Sequence, residues 1–195
     1  GAIRDPERAL AFLATIDKHS RQLANLVDDL LQISRLEGRA DLPRRVPMDV
    51  ERVVRNALDL LGPAAQRKRL ALTVDLPEGL PAVAGDPDTL ERAVANLVDN
   101  AVKYTPEGGS IRVAVARRGE RIVVEVTDTG IGIPAEALPR VFERFYRVDK
   151  SRSREMGGTG LGLSIVKHVV QAHGGSVEAE SEPGKGSVFR IVLPT

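Results

Sequence analysis

The 195-residue chain has no cysteine and no tryptophan, and four Phe and two Tyr are its only aromatic side chains. Without thiols there are no disulfides, no zinc fingers, no iron–sulfur clusters and no thiol nucleophile. An excess of one charge sign is also missing. The 28 Lys and Arg face 27 Asp and Glu, a formal charge of +1, which argues against bulk electrostatic binding to nucleic acid. No apolar run approaches the ~20 residues that a membrane span needs, and no signal-peptide pattern opens the sequence. What is present is 42% hydrophobic and 28% charged residues, enough for one domain core plus an appendage and incompatible with a disordered tail. The chemistry left to such a chain uses oxygen, amide and guanidinium groups.

The first segment has the pattern of one long helix. Asp5 suits an N-cap, Pro6 the first helical position and Gly38 the stop. Ala9, Ile16, Leu23 and Leu30 recur every seven residues, and so do Phe12, His19, Leu26 and Ile33, the two series interleaving as a and d positions of a coiled seam do. Leu13, Val27 and Leu31 widen the stripe. At ~1.5 Å per residue the rod is roughly 50 Å long, more than one small core can cover. It therefore calls for partner helices, the alternative being a helix folded back on its own domain.

Residues 39–47 are charged, contain Pro and lack a period, which places a linker between the helix (1–38) and a second domain (48–195). That domain alternates helical and strand periods. Helix is expected from Asp49 to about Arg69 with a kink or break at Gly62-Pro63, from Asp86-Pro87 to Tyr104, near Ala135–Phe145, and from Gly160 to Ala172. Strands are expected at Leu70–Asp75, Leu80–Ala84, and in two hairpins, Ser110–Ala116 with Arg121–Thr127 and Ser176–Ser181 with Ser187–Leu193. The fold class is α+β, one mixed or antiparallel sheet covered by helices on one face.

Ten of the 18 glycines fall between Gly130 and Gly186. Asp128, just past a strand and followed by Gly130 and Gly132, suits either an acceptor at a pocket wall or a plain Asx turn. Gly157-Gly158-Thr159-Gly160-Leu161-Gly162-Leu163-Ser164 opens a helix, where free N–H groups and the positive dipole end favour phosphate. It is not a P-loop, since Leu163-Ser164 stands where Lys-Ser/Thr belongs, nor a dinucleotide fingerprint, since polar Ser151–Met156 precedes it. Asn96, Asn100 and Lys103 share a helix face beside the stripe of Leu90, Val94, Leu97 and Ala101, with Tyr104 on its border and Asp99 directed to solvent. Asparagine is a poor helix former, so the pair suits either a solvated face or amide ligands for a hard cation such as Mg²⁺. Phe142 and Phe145 would anchor a loop, and the aperiodic Val148–Thr159, with Lys150, Arg152 and Arg154, suits a lid ordered by a polyanion or a plain loop.

In order, LERAVANLVDNAVKYTPEGG (90–109), DTGIGI (128–133), VFERFYR (141–147) and GGTGLGLS (157–164) resemble the N, G1, F and G2 boxes of bacterial two-component sensor histidine kinases. LVDDLLQISRLE (26–37) is similar to the second helix of that family's dimerisation and phosphoacceptor hairpin. The resemblance implies the two-layer α/β sandwich shared with gyrase, MutL-type and heat-shock ATPases, and ATP with Mg²⁺ as cofactors. It implies Asn100 as Mg²⁺ ligand with Asn96 assisting, Lys103 at phosphate, Tyr104 near adenine and Asp128 accepting from its amine. Gly130, Gly132 and Ile133 would shape the base pocket, Arg147 would face the γ-phosphate, and Gly158, Thr159, Gly160, Leu161, Gly162 and Leu163 would enclose the phosphates. Asn100, Lys103 and Arg147 are thus the catalytic set. Implied partners are a response regulator receiver domain and a second copy through the hairpin helices, with no nucleic acid; the portion is expected to be cytoplasmic, its parent anchored in the bacterial inner membrane.

The family's acceptor sits in a His-acidic-x-x-Arg-Thr-Pro context, and the sequence has no such stretch. His19 precedes Ser20-Arg21 in the seam, and His168 and His173 are expected to be surface or cap residues. The phosphorylated histidine is therefore expected upstream in a longer chain, and residues 1–195 are not expected to phosphorylate themselves. The alternatives are an ATP hydrolase or a serine kinase of the same superfamily, or a nucleotide-binding dimerisation module inactive alone. A hydrolase is disfavoured because Asn96 stands where the water-activating glutamate belongs, four residues before Asn100.

Overall fold

The computed structural model describes residues 5–37, 45–149 and 158–195. Helix α1 (Pro6–Glu37) starts at Asp5, whose Oδ1 accepts the Glu7 and Arg8 N–H groups at 3.1 and 3.3 Å. Most of its described seam is bare: Phe12, Ile16, Leu23 and Leu30 are all exposed, while Leu26 packs partly on the core of the second domain. Among the described residues no helix is long and apolar enough to cross a membrane.

The order that follows is β1 (Val46–Met48), α2 (Val50–Arg67), β2 (Ala71–Asp75), β3 (Val83–Gly85) and α3 (Pro87–Tyr104), then β4 (Ser110–Arg118), β5 (Arg121–Asp128), α4 (Gly162–Ala172), β6 (Ser176–Glu182) and β7 (Gly186–Pro194). Strands β2-β4-β5-β7-β6 form one sheet, parallel between β2 and β4 and antiparallel elsewhere; β1 and β3 make a separate ribbon. Alternation along β4 and β5 turns Ile111, Val113, Ile122, Val124 and Val126 toward α2, α3 and α4, where they meet Val54, Leu97 and Ile165 in one core. The opposite face carries charge, with Arg190 bonded to Glu125 at 2.7 Å and to Glu180 at 2.6 Å. This is the two-layer α+β sandwich that the motifs imply.

Capping explains the boundaries of the two helices beneath the site. Asp49 accepts from Glu51 N–H at 2.9 Å, and Asp86 accepts from Asp88 N–H at 3.1 Å with Pro87 in the first turn. At the far end of α3, Lys68 Nζ donates to the Val102 and Lys103 carbonyls at 2.7 and 2.8 Å, filling acceptors the helix cannot. His173 ties the layers together. It is buried, caps α4 through Nδ1 to the Val169 carbonyl at 2.8 Å, and accepts the Asp86 N–H on Nε2 at 2.9 Å. It is thus a cap but not a surface residue; His168 is half-buried and contacts Arg144 at 3.0 Å.

Four expectations fail locally. Helix α2 runs through Pro63 without the break allowed for there, the carbonyl deprived of a partner belonging to the exposed residue Asp59. The strand expected at Leu80–Ala84 forms at Val83–Gly85, paired with Val46–Met48, which has no readable period around Pro47. The helix expected at Ala135–Phe145 shrinks to a single 3₁₀ turn, Leu138–Arg140, and Phe145 reverses the chain at φ +60°. Phe142 does pack, edge-on to Phe189 at 6.3 Å, but Phe145 is exposed rather than anchored.

Candidate functional site

One cavity of about 410 Å³ opens between α3, the β5 end and the start of α4. Helix α3 supplies its floor. Leu90, Val94, Leu97 and Ala101 are buried, which rotates Asn96, Asn100, Lys103 and Tyr104 to the cavity wall. Asp99 joins them. It is not solvated away from this face: its carboxylate pairs with Lys103 Nζ at 2.5 Å, the (i, i+4) neighbour, and lines the same cavity. Asn96 lies against the start of α4, its Oδ1 so close to Gly162 that a Cβ there would press on it.

The base of the cavity is the end of β5. Asp128 is buried and its Oδ1 accepts the Gly130 N–H at 2.7 Å. Burial pushes its carboxyl up from the ordinary 3.8, while hydrogen bonds from the Gly130 and Ser187 backbones pull the other way. Gly132 and Ile133 reach the wall; Gly130 does not, because it is folded behind Asp128 against the Tyr104 carbonyl. Gly132, at φ +69°, has no room for a side chain against the Glu182 carbonyl.

The third wall comes from the segments on either side of residues 150–157. Tyr146 and Arg147 line it, Arg140 resting 4.4 Å over the Tyr146 ring. Arg147 Nε and Nη2 are buried and have no hydrogen-bond partner among the described residues. Gly158, Thr159, Gly160, Gly162 and Leu163 complete the wall; the N-cap residue Leu161 has no capping side chain of its own, and Thr159 Oγ1 accepts the Leu161 N–H at 3.2 Å. Leu161 is fully buried in the core beneath and does not line the cavity. Gly160, at φ +75°, packs on the Phe145 backbone and receives its N–H at 2.9 Å, so the two segments hold each other. Lys150, Arg152, Arg154 and Gly157 lie outside the described residues.

The sequence reading missed Arg92, one turn before Asn96, and Ser187, which pairs across the strands with Asp128; both line the cavity. Arg92 carries the helical spacing of the Asn pair, so it was findable. Ser187 carries no sequence signal, since only strand register brings it to Asp128.

Chemically, the cavity is lined by an acceptor in Asp128, amide side chains along α3, unpaired guanidinium N–H groups of Arg147 and a helix N-terminus. An anion that also carries a hydrogen-bond donor fits this set. Among the described residues no three His, Cys, Asp or Glu side chains are grouped to hold a metal. The Asn96 and Asn100 amide oxygens at the wall are of the hard-donor type that suits a hard cation.

The sequence profile of the histidine kinase-, DNA gyrase B-, and HSP90-like ATPase family matches residues 85–195. The sensor-like histidine kinase SenX3 of Mycolicibacterium smegmatis is 43% identical over 190 residues, which cover 97% of this chain and 49% of that protein. The chain thus spans about half the length of this curated relative. The crystal structure of full-length ShkA in complex with AMPPNP is similar at a TM-score of 0.80 and 30% identity, over 94% of this chain and 38% of that one. The mycobacterial sensor histidine kinase MprB is similar at a TM-score of 0.65 and 34% identity, over 77% of this chain and 97% of that one. The chain belongs to the histidine kinase-, DNA gyrase B-, and HSP90-like ATPase family, and its helix and sandwich are homologous to the corresponding regions of sensor histidine kinases.

Proposed function

We propose that this chain binds Mg²⁺-ATP as the catalytic portion of a sensor histidine kinase and passes the terminal phosphoryl group to a histidine elsewhere in a longer parent protein. The observation that carries this reading is the guanidinium of Arg147, buried without a partner among the described residues at the wall of a cavity that the Asp128 carboxylate also lines. The ShkA structure was solved with AMPPNP, a triphosphate analogue. Asp128 selects the base by accepting from its amine, with Tyr104, Gly132 and Ile133 around it. Asn100, assisted by Asn96, would hold the metal, which when bound would supply positive charge to offset that of the phosphates. The backbone N–H groups of Gly158, Thr159, Gly160, Gly162 and Leu163 would donate to phosphate oxygens, and Lys103 and Arg147 would neutralise charge that spreads over the transferred group.

Hydrolysis is the weaker reading because the Asn96 amide does not take a proton from water and Asp99 is committed to Lys103. Transfer to an imidazole, and from there to a response regulator aspartate, needs no such base. A second copy would be recruited through the bare seam of α1. Titration calorimetry with Mg²⁺-ATP and Mg²⁺-ADP tests the binding: no heat and no thermal shift would overturn the reading. Adding a separate hairpin that carries an acceptor histidine is expected to yield acid-labile phosphate on the hairpin and none on this chain. Binding without transfer, where the parent kinase is active, would favour a dimerisation module that only holds nucleotide.

A further inference from the structure

The turn Glu182-Pro183-Gly184-Lys185-Gly186 and the serine before it pack against the backbone of Asp128 and Gly132 at the base end of the cavity. Asp128 on β5 pairs with Ser187 on β7, and Ser187 pairs with Ser181 on β6. The three form one cross-strand row on the helix-facing side of the sheet, the side that carries Val126, Phe189 and Ala179 into or against the core.

Ser181 Oγ has three neighbours: the Gly186 carbonyl at 2.7 Å, the Ile133 N–H at 2.8 Å and Ser187 Oγ at 3.0 Å. A hydroxyl has one proton. The Gly186 carbonyl only accepts, so it takes that proton, and the Ile133 N–H only donates. Ser187 must then donate to Ser181, which turns the Ser187 proton away from the cavity it lines and leaves lone pairs on the other side. The same turn fixes the 131–133 backbone. Gly184 N–H donates to the Ile131 carbonyl at 2.8 Å, and Gly132 and Gly186 lie too close to the Glu182 and Asp128 carbonyls for any Cβ.

We propose that Ser181 is a positioning residue for base selection: by fixing the Ser187 proton and the Ile133 backbone it leaves Ser187, beside Asp128, an acceptor rather than a donor, which favours a purine bearing a ring amine over one bearing a carbonyl there. This rests on the nucleotide reading above. The probes are Mg²⁺-ADP and Mg²⁺-IDP, which differ at the C6 substituent and at the N1 beside it, an acceptor in ADP and an N–H donor in IDP, titrated calorimetrically into the full chain. The unaltered chain is expected to prefer ADP. Ser181→Ala is expected to weaken ADP about tenfold while IDP loses less, because a freed Ser187 hydroxyl can donate to the inosine carbonyl. Ser181→Thr, which keeps the hydroxyl, is expected to restore ADP affinity to within about twofold.

A merely structural role would lower both ligands by the same factor, and that result, or an unchanged preference, overturns the proposal. If Ser181→Ala does not fold, Ser187→Ala serves: the ADP preference is expected to shrink while the Ile133 amide stays protected from hydrogen exchange, and an unchanged preference counts against the relay. Failure of the unaltered chain to bind either nucleotide defeats the nucleotide reading and this proposal together. Normal ADP binding with a preference insensitive to Ser181 defeats this proposal alone.

Discussion

Replacing Arg147 by Met separates what this side chain costs the fold from what it gives the ligand. Methionine keeps the stem that packs at the cavity wall and removes a guanidinium with two buried, unpartnered nitrogens. A buried donor without a partner costs about 1–3 kcal/mol. Arg147 is only half-buried as a residue, so the low end applies, roughly 1 kcal/mol for the group. For a domain of this size that raises the melting temperature of the ligand-free protein by about 3 °C.

With nucleotide present the sign reverses. Losing charge-assisted hydrogen bonds to phosphate costs about 1.5–3 kcal/mol, so Mg²⁺-ATP is expected to bind about ten- to a hundredfold more weakly. Thermal denaturation with and without saturating nucleotide reads both effects, since bound ligand stabilises in proportion to its affinity. The variant is expected to melt above the unaltered chain without ligand and below it with ligand. A variant that is less stable when empty, or that binds Mg²⁺-ATP as tightly, refutes the argument that this guanidinium is held in reserve for an anion.

Three further outcomes follow from the geometry. Burial raises the Asp128 carboxyl above 3.8 in the folded chain, so between that value and the raised one the folded state holds more protons than the unfolded state. Its contribution to ligand-free stability therefore declines as pH rises through that window, and nucleotide binding, which needs the ionised acceptor, is lost as pH falls through it; Asp128→Asn removes the first dependence in a pH series of melts. Gly132→Ala adds a backbone collision to a left-handed φ, whereas Gly119→Ala, at φ +64° in open space, carries only the conformational cost of about 1–2 kcal/mol. Gly132→Ala is accordingly expected to lower the urea midpoint further and to weaken nucleotide binding, with Gly119→Ala sparing the latter. His173→Ala leaves the Asp86 N–H without its acceptor and a void beside Gly85, for an expected loss of about 2–4 kcal/mol in urea denaturation.

The sequence foretold those parts of the molecule that local chemistry decides. Asp49 and Asp86 announce helix starts, period-two runs announce β4 through β7, and the Asn96–Asn100 spacing puts both amides on one face whatever the rest of the fold does. Elements set by tertiary contact were not legible. Ala137, Val141 and Phe142 have helical spacing, yet the chain must turn at Phe145 to bring Arg147 to the cavity and meet Gly160, so tertiary demand overrides propensity. Strand β1 exists only because β3 pairs with it. Asp99 looked solvated on a wheel because the wheel does not show Lys103 folding back along the helix to meet it. Ser181 was invisible for a similar reason: six residues from Ser187 in sequence, it joins the site only through strand register.

The central claim is that amides, glycines and an acid distant in sequence enclose one nucleotide. A crystal structure of the chain grown with Mg²⁺ and a non-hydrolysable ATP analogue tests it most directly. The account predicts the base amine on Asp128, the metal on Asn100, and phosphate oxygens in contact with Arg147 and the backbone from Gly158 to Leu163. An analogue bound elsewhere, or one bound in this cavity with its base away from Asp128 and its phosphates away from Arg147, would contradict it.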